Sequence, residues 1–190
     1  MILLIDNYDS FSYNLVQLAG NIDPHIKVIR NDAMTIEEIK ALHPSHIILS
    51  PGPGYPKNAG ICEEAVQRLQ GEIPILGVCL GHQAICETYG CTIAHAKCLM
   101  HGKKSRICID STSPLFYGLG TEMDAARYHS LVAARETIPD ALMIIGEDKN
   151  GEVMAVQHKL YPVYGLQFHP ESILTPQGRM IMENFLSMKI

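Results

Sequence analysis

Two rhythms of apolar residues alternate through the first half of the chain. Met1–Ile5 is a short unbroken apolar run, and behind it Phe11, Leu15 and Leu18 recur at helical spacing. Ile26–Ile29 forms a second run. It is followed by a helix opened by Thr35, with Glu38 three residues on, the two halves of a capping box. His46–Leu49 leads through the loop Ser50-Pro51-Gly52-Pro53-Gly54 to a helix carrying Ile61, Ala65 and Leu69. Ile73–Val78 leads to Cys79 and a helix from about Gly81 to Tyr89. Short apolar runs alternating with helices predict parallel strands joined by right-handed crossovers, with helices on both faces. In open sheets of that kind the site lies at the carboxyl ends of the strands. The second half is richer in strands, at Ser105–Ile109, Leu142–Glu147, Val153–Gln157 and Val163–Phe168, partly antiparallel. A last helix is predicted from Thr175-Pro176, a cap followed by proline in the first turn. The expected fold class is α/β: an open, mostly parallel twisted sheet with helices on both faces and an antiparallel extension. No linker interrupts the pattern, so residues 1–190 are expected to form one domain.

Composition narrows the function. The formal net charge is −5 and there is no block of Lys or Arg, which removes the electrostatic footprint of a nucleic-acid binder. No apolar stretch approaches the length of a membrane span. Met1–Ile5 reaches Asp6 without a basic leader, so it reads as a strand and not as a signal peptide. The six cysteines form no Cys-x-x-Cys pair, so no metal site is expected. Without a secretion signal a disulfide framework is not expected either, and the reading is a reduced, cytoplasmic protein. Cys62, Cys86, Cys91, Cys98 and Cys108 read as packing residues.

Cys79 is different. It sits in Gly77-Val78-Cys79-Leu80-Gly81, between a buried strand and a helix, with glycine at both second neighbours. A strand-to-helix turn this sharp crowds the backbone on either side and requires small residues there. It pushes the thiol to a helix N-terminus, where backbone N–H groups and the helix dipole favour thiolate and can hold an oxyanion. A packing cysteine needs neither glycine. A thiolate nucleophile needs a base held by a third group. His169-Pro170-Glu171 ends the strand Val163–Phe168, and proline after His169 disfavours helix. In an extended segment the two side chains face the same way, as a base and its orienter should. His82, three residues past Cys79, and His129, in Arg127-Tyr128-His129-Ser130-Leu131, are rival bases. The loop at Gly52 can present a second backbone N–H to an oxyanion. Gln83, one helical turn past Cys79, leans back toward the thiol. The Gly/Pro loop lacks the Gly-Lys-Ser/Thr of a phosphate-binding loop.

Gly77-Val78-Cys79-Leu80-Gly81-His82-Gln83 and Phe168-His169-Pro170-Glu171-Ser172 resemble the motifs of the class I, triad-type glutamine amidotransferases. Asp6-Asn7-Tyr8-Asp9-Ser10-Phe11, Ser50–Gly54, Met100-His101-Gly102-Lys103 and Arg127–Leu131 resemble, within that family, the glutaminase subunits of chorismate amination. Those subunits serve anthranilate synthase in tryptophan biosynthesis or aminodeoxychorismate synthase in folate biosynthesis. The resemblance implies a Cys79–His169–Glu171 triad that hydrolyses L-glutamine. It implies backbone amides of Gly52 and Leu80 as the oxyanion hole. It implies Gly52, Pro53, Gly54, Gln83, Ser130 and Leu131 around the substrate's α-amino and carboxylate groups. Ammonia would pass to a separate chorismate-using subunit, the chain having no room for that domain, with Met100, His101, Gly102 and Lys103 at the contact. No cofactor is implied for this chain, and the synthase partner would use Mg2+. The branch favoured is anthranilate, with aminodeoxychorismate, or service to both, as the alternative. A free γ-glutamyl cysteine hydrolase would use the same triad without the segments 100–103 and 127–131. A flavodoxin-like flavin carrier or an inactive regulatory subunit would not need the complete Cys/His/Glu set.

Overall fold

The computed structural model describes residues 1–96 and 102–190. The expected β/α alternation is present as β1 (Ile2–Asp6), α1 (Ser12–Gly20), β2 (Ile26–Arg30), α2 (Ile36–Ala41), β3 (His46–Leu49), α3 (Cys62–Leu69), β4 (Ile75–Val78) and α4 (Leu80–Thr88). There follow β5 (Ile93–His95), β6 (Lys103–Ile109), β7 (Glu122–Arg127), β8 (Leu131–Ala133), β9 (Leu142–Asp148), β10 (Val153–His158), β11 (Val163–Leu166) and α5 (Gly178–Ser187). Among the described residues, nine strands form one sheet in the order β2-β1-β3-β4-β11-β10-β9-β6-β7, and β5 pairs with β8. The pairings from β2 to β11 are parallel. From β11 onward they are antiparallel, which is the expected extension.

Both faces of β1, β3, β4 and β11 are buried, which is why their sequences are nearly continuously apolar rather than alternating; β2, at the sheet edge, is largely exposed. Side chains still alternate between the faces. Leu3, Ile5, Ile47, Leu49 and Ile75 pack with α2, α3 and α4 residues such as Ile39, Val66, Leu69 and Ile85. Ile2, Leu4, Ile48, Leu76 and Val78 pack on the other face with α1 and α5 residues such as Leu15, Ile181 and Phe185. Truncating one of these side chains to Ala is worth about 2–5 kcal/mol of stability. The Thr35–Glu38 capping box forms as expected: Thr35 Oγ1 accepts from Glu38 N, and Thr35 N donates to the Glu38 carboxylate at 2.7 Å.

Several local expectations change. The last helix begins at Gly178 and not at Thr175. The Thr175 hydroxyl is used elsewhere: it donates to His169 O at 2.7 Å and accepts from Ala126 N at 3.0 Å. It therefore ties the segment after β11 to β7 instead of capping a helix. Strand β11 ends at Leu166, two residues earlier than expected, and His169-Pro170-Glu171 is a turn closed by Ser172 N donating to His169 O at 3.3 Å. Strand β6 begins at Lys103, which pairs with Arg127. Cys108 is exposed rather than a packing residue, whereas Cys62, Cys86 and Cys91 are buried and free; Cys98 lies outside the described residues. Among the described residues, no helix is long and apolar enough to cross a membrane.

Candidate active site

Four neighbouring strands end at one place. Beyond β1 lies Asn7, beyond β3 the loop from Ser50, beyond β4 Cys79, and beyond β11 Gln167 and His169. Cys79 is the pivot. It is 7% exposed and holds φ 52° and ψ −101°, a left-handed backbone that L residues rarely adopt. The flanking glycines are required by contact. A Cβ on Gly77 would lie 2.4 Å from the backbone of Gly81, and one on Gly81 would lie 2.4 Å from Leu49 O. Such strain persists only where the surrounding structure enforces it, and it clusters at functional sites.

His169 Nδ1 and Glu171 Oε1 are 2.6 Å apart, and both side chains are buried. The turn at Pro170, rather than an extended strand, brings them together. Burial lowers the imidazole's pKa. Interaction with the Cys79 sulfur and with the Glu171 carboxylate outweighs it and pushes the pKa up to about 10. His169 Nε2 has no partner of ordinary hydrogen-bond geometry.

The two rival histidines are held differently. His82 is fully buried, and desolvation pushes its pKa down to about 3. Its ring fills the space that a Cβ on Gly165 would enter, at 2.5 Å from Nδ1. His129 is also held neutral, its pKa lowered to about 3 by burial and by the adjacent Arg127 charge. Its Nε2 accepts from Arg127 Nε at 3.1 Å. Arg127 is 1% exposed and pairs with Asp148 at 2.8 Å and with Glu152, so it anchors the segment 128–131 to the β9–β10 hairpin.

The remaining expected site residues divide into two groups. Gly52 packs against the elbow, since a Cβ there would lie 2.5 Å from Asn7 Cβ and 2.7 Å from Leu80 Cδ2. Leu80 opens α4, where the first N–H groups have no intrahelical partner. Gln83 is buried, and its Nε2 donates to Leu131 O at 3.0 Å. Pro53, Gly54 (φ 78°) and Ser130 are exposed at the rim. Of the segment expected to meet a partner, Gly102 and Lys103 are exposed, and Met100 and His101 lie outside the described residues.

Four residues of this site were given no role in the sequence reading, Asn7, Phe11 and Tyr128 being named there only within patterns and motifs and Gln167 not at all. Asn7 accepts from Asn31 and holds the Ser50 loop, its N donating to Ser50 Oγ and its Nδ2 to Ser50 O, each at 2.8 Å. Gln167 is fully buried, with Nε2 3.7 Å from Cys79 Sγ. Phe11 and Tyr128 pack edge-on to the His169 ring, at 6.2 and 5.1 Å between centroids. The available signal was a polar residue directly after an apolar strand, as at Asn7 and Gln167. A cleft of about 350 Å³ opens over His169 and Glu171, lined also by Phe11, Tyr128 and Ile173. A larger one, about 430 Å³, lies beside β8 among residues such as Ala133, Arg135 and Asn150, and holds none of these groups. Chemistry, and not volume, marks the site.

Residues 3–188 match the family of class-I glutamine amidotransferases. The chain is 48% identical over 190 residues to the bifunctional protein TrpGD of Thermotoga maritima, covering 99% of this chain and 32% of that protein, so it spans about a third of that relative. It is 48% identical to the aminodeoxychorismate/anthranilate synthase component 2 of Bacillus subtilis, covering 98% of this chain and 95% of that one. It is 43% identical to the aminodeoxychorismate synthase component 2 of Klebsiella aerogenes, over 98% of this chain and 100% of the other. Among solved structures, a Thermoplasma acidophilum protein described as a GMP synthase subunit superposes with a TM-score of 0.85 at 25% identity, covering 97% and 91% of the two chains. The elbow, the buried histidine–carboxylate pair and this match over nearly the whole length agree, and the chain belongs to the class-I glutamine amidotransferases.

Proposed function

We propose that this chain is the glutaminase subunit of a chorismate-using synthase, with Cys79, His169 and Glu171 as its triad. The observation that carries the reading is the 2.6 Å His169–Glu171 pair beside a nucleophile on a strained strand-to-helix turn. Cys79 Sγ attacks the side-chain amide carbon of glutamine. The oxyanion that forms is held by the backbone N–H groups of Gly52 and Leu80. The His169 imidazolium gives its proton to the leaving nitrogen, ammonia departs, and a thioester remains. Neutral His169 then takes a proton from water, whose oxygen attacks the thioester carbon. Collapse releases glutamate and returns the proton to the Cys79–His169 pair. Glu171 keeps the imidazole oriented and stabilises its charge. Gln83, the loop Gly52-Pro53-Gly54, Ser130 and Leu131 hold the substrate's α-amino and carboxylate groups.

The ammonia is passed to a separate component I subunit, which aminates chorismate and carries the Mg2+ site. Gly102 and Lys103, with Met100 and His101, form the contact. Anthranilate is the favoured product. Relatives named for either branch, or for both, match at 43–48% identity, so 4-amino-4-deoxychorismate is the alternative, the regiochemistry belonging to the partner. The test is Cys79→Ser. Glutamine-dependent amination by the reconstituted complex should fall below about a hundredth of wild type. Amination with free ammonia should persist, and the product identifies the branch. Glutamine-dependent activity retained in Cys79→Ser would remove the triad.

A further inference from the structure

We propose that Gln167 is a positioning residue of this glutaminase site, bracing the Cys79 sulfur and fixing the Gln83 amide so that Gln83 offers only an oxygen to the substrate. The proposal rests on the glutaminase reading above. It starts from sheet register. In the parallel pairing of β4 with β11, Val78 lies opposite Leu166, so the residues that follow, Cys79 and Gln167, are side by side. The backbone is pinned on both flanks: Cys79 N donates to Leu166 O at 2.7 Å, and Gln167 N donates to Met154 O at 2.9 Å. Gln167 therefore sits one residue past the end of β11, its backbone tied to Met154 of β10.

The orientation of the two amides follows from one fixed point. Leu131 O is a backbone carbonyl and can only accept. The Gln83 atom 3.0 Å from it must be the nitrogen. That nitrogen also donates to Gln167 Oε1 at 3.1 Å, which uses its second hydrogen. The Gln167 oxygen is thereby committed to Gln83, so the group that Gln167 turns toward Cys79 is its NH2, 3.7 Å from Sγ. Two consequences follow. An N–H donor aimed at sulfur stabilises the thiolate over the thiol. Gln83, with both hydrogens spent, meets an incoming ligand with Oε1 alone. An acceptor-only group selects an ammonium and rejects a carboxylate. Gln167 thus places the α-ammonium end of glutamine on the Gln83 side of the site without touching the substrate.

The experiment uses the full chain with Gln167→Met, which keeps the length and removes donor and acceptor, and with Gln167→Glu, which keeps an oxygen for Gln83. Mass-resolved alkylation of Cys79 by iodoacetamide is followed against pH. Hydrolysis of glutamine is compared with that of glutaramate, the same amide without the α-ammonium. Gln167→Met should move the midpoint of Cys79 alkylation up by about one pH unit. It should also raise the KM for glutamine about tenfold and cut the preference for glutamine over glutaramate by the same factor. Gln167→Glu should raise the alkylation midpoint yet leave the KM for glutamine within about threefold of wild type, since the clamp on Gln83 survives. A merely structural role would not separate the two readouts. An unmoved alkylation midpoint in both variants, or an unchanged substrate preference in Gln167→Met, overturns the proposal. If Gln167→Met does not fold, the midpoint and KM of Gln167→Glu decide alone. Alkylation does not require turnover, so failure of the glutaminase reading, seen as activity retained in Cys79→Ser, is distinguished from failure here.

Discussion

At the scale of single residues, three buried histidines show how environment assigns roles. His82 and His129 are neutral because burial outweighs everything around them, and for His129 the adjacent Arg127 adds to that. His169 is just as buried, but a carboxylate and a sulfur reverse the outcome. In the proposed mechanism the base gives a proton to departing ammonia and takes one from water, so it must be able to carry charge, and of the three only His169 has its pKa raised. His169→Ala is therefore expected to lose activity to the same degree as Cys79→Ser, and Glu171→Ala less, because members of a triad act as a unit and the orienter is the mildest loss. His82→Ala removes a core side chain and should lower the melting temperature while sparing kcat more than His169→Ala does. Steady-state kinetics and thermal melts on the same preparations check this, and the reverse ranking of His82 and His169 would reassign the base. Cys79 was legible in the sequence because a sharp turn leaves glycines around it; the proline after His169 was read as an extended segment, and the structure makes it a turn that still brings Glu171 to the ring. Gln167 left only a polar letter after an apolar run. Its meaning lies in pairing across strands whose neighbours in space are far apart in sequence.

At the scale of elements, the chain was readable where both faces of a strand are buried and opaque where they are not. β1, β3 and β4 are unbroken apolar runs, and each is followed by a helix whose periodicity is plain. β7 reads Glu-Met-Asp-Ala-Ala-Arg, buried at four of its six positions yet built mostly from residues of low strand propensity. It is held by its antiparallel ladder to β6 and by burial, with Lys104 and Arg106 of β6 reaching diagonally to Asp124 and Glu122. β5 and β8 are three residues each, too short to carry a period. Thr175-Pro176 had the letters of a helix start, but tertiary hydrogen bonds to His169 and Ala126 claimed the threonine. The β4–α4 junction carries the most demanding local fit. Gly77→Ala would drive a methyl into the Gly81 backbone, which cannot give way without moving α4 and the sulfur that it positions. A stability loss above about 2 kcal/mol is expected, with slower Cys79 alkylation. Gly120→Ala is the control: its Cβ meets open space, and a change under about 0.5 kcal/mol is expected by denaturant titration. Equal effects of the two substitutions would mean that the elbow is not sterically specified.

For the whole molecule, the same buried groups set how stability depends on pH. His82 and His129 titrate near 3 when folded and near 6.5 when unfolded, so the unfolded chain binds the extra protons and stability falls as pH drops below about 6.5. His169 works in the opposite sense. It holds its proton up to about 10 when folded and releases it near 6.5 when unfolded, so its contribution is lost as pH rises through that window. Glu63 opposes the gain from the two histidines. Burial, reinforced by the facing Glu87, raises it from 4.5 to about 7. Glu63 Oε1 and Glu87 Oε2 are both buried without a donor, and a proton held between the carboxylates satisfies them. The unfolded chain gives up that proton from about pH 4.5, the folded one only near 7, so stability falls across the interval. The two histidines, only partly offset by Glu63, raise stability up to about pH 6.5, and His169 lowers it above, which places the maximum in melting temperature between about pH 6 and 7. Glu63→Gln isolates one of these contributions, because an amide does not titrate. The melting temperature of Glu63→Gln minus that of wild type should grow between about pH 4.5 and 7 and then level off. The sign follows from wild type alone losing stability in that interval. A difference that stays flat from about pH 4.5 to 8 would show that Glu63 and Glu87 share no proton in the folded chain.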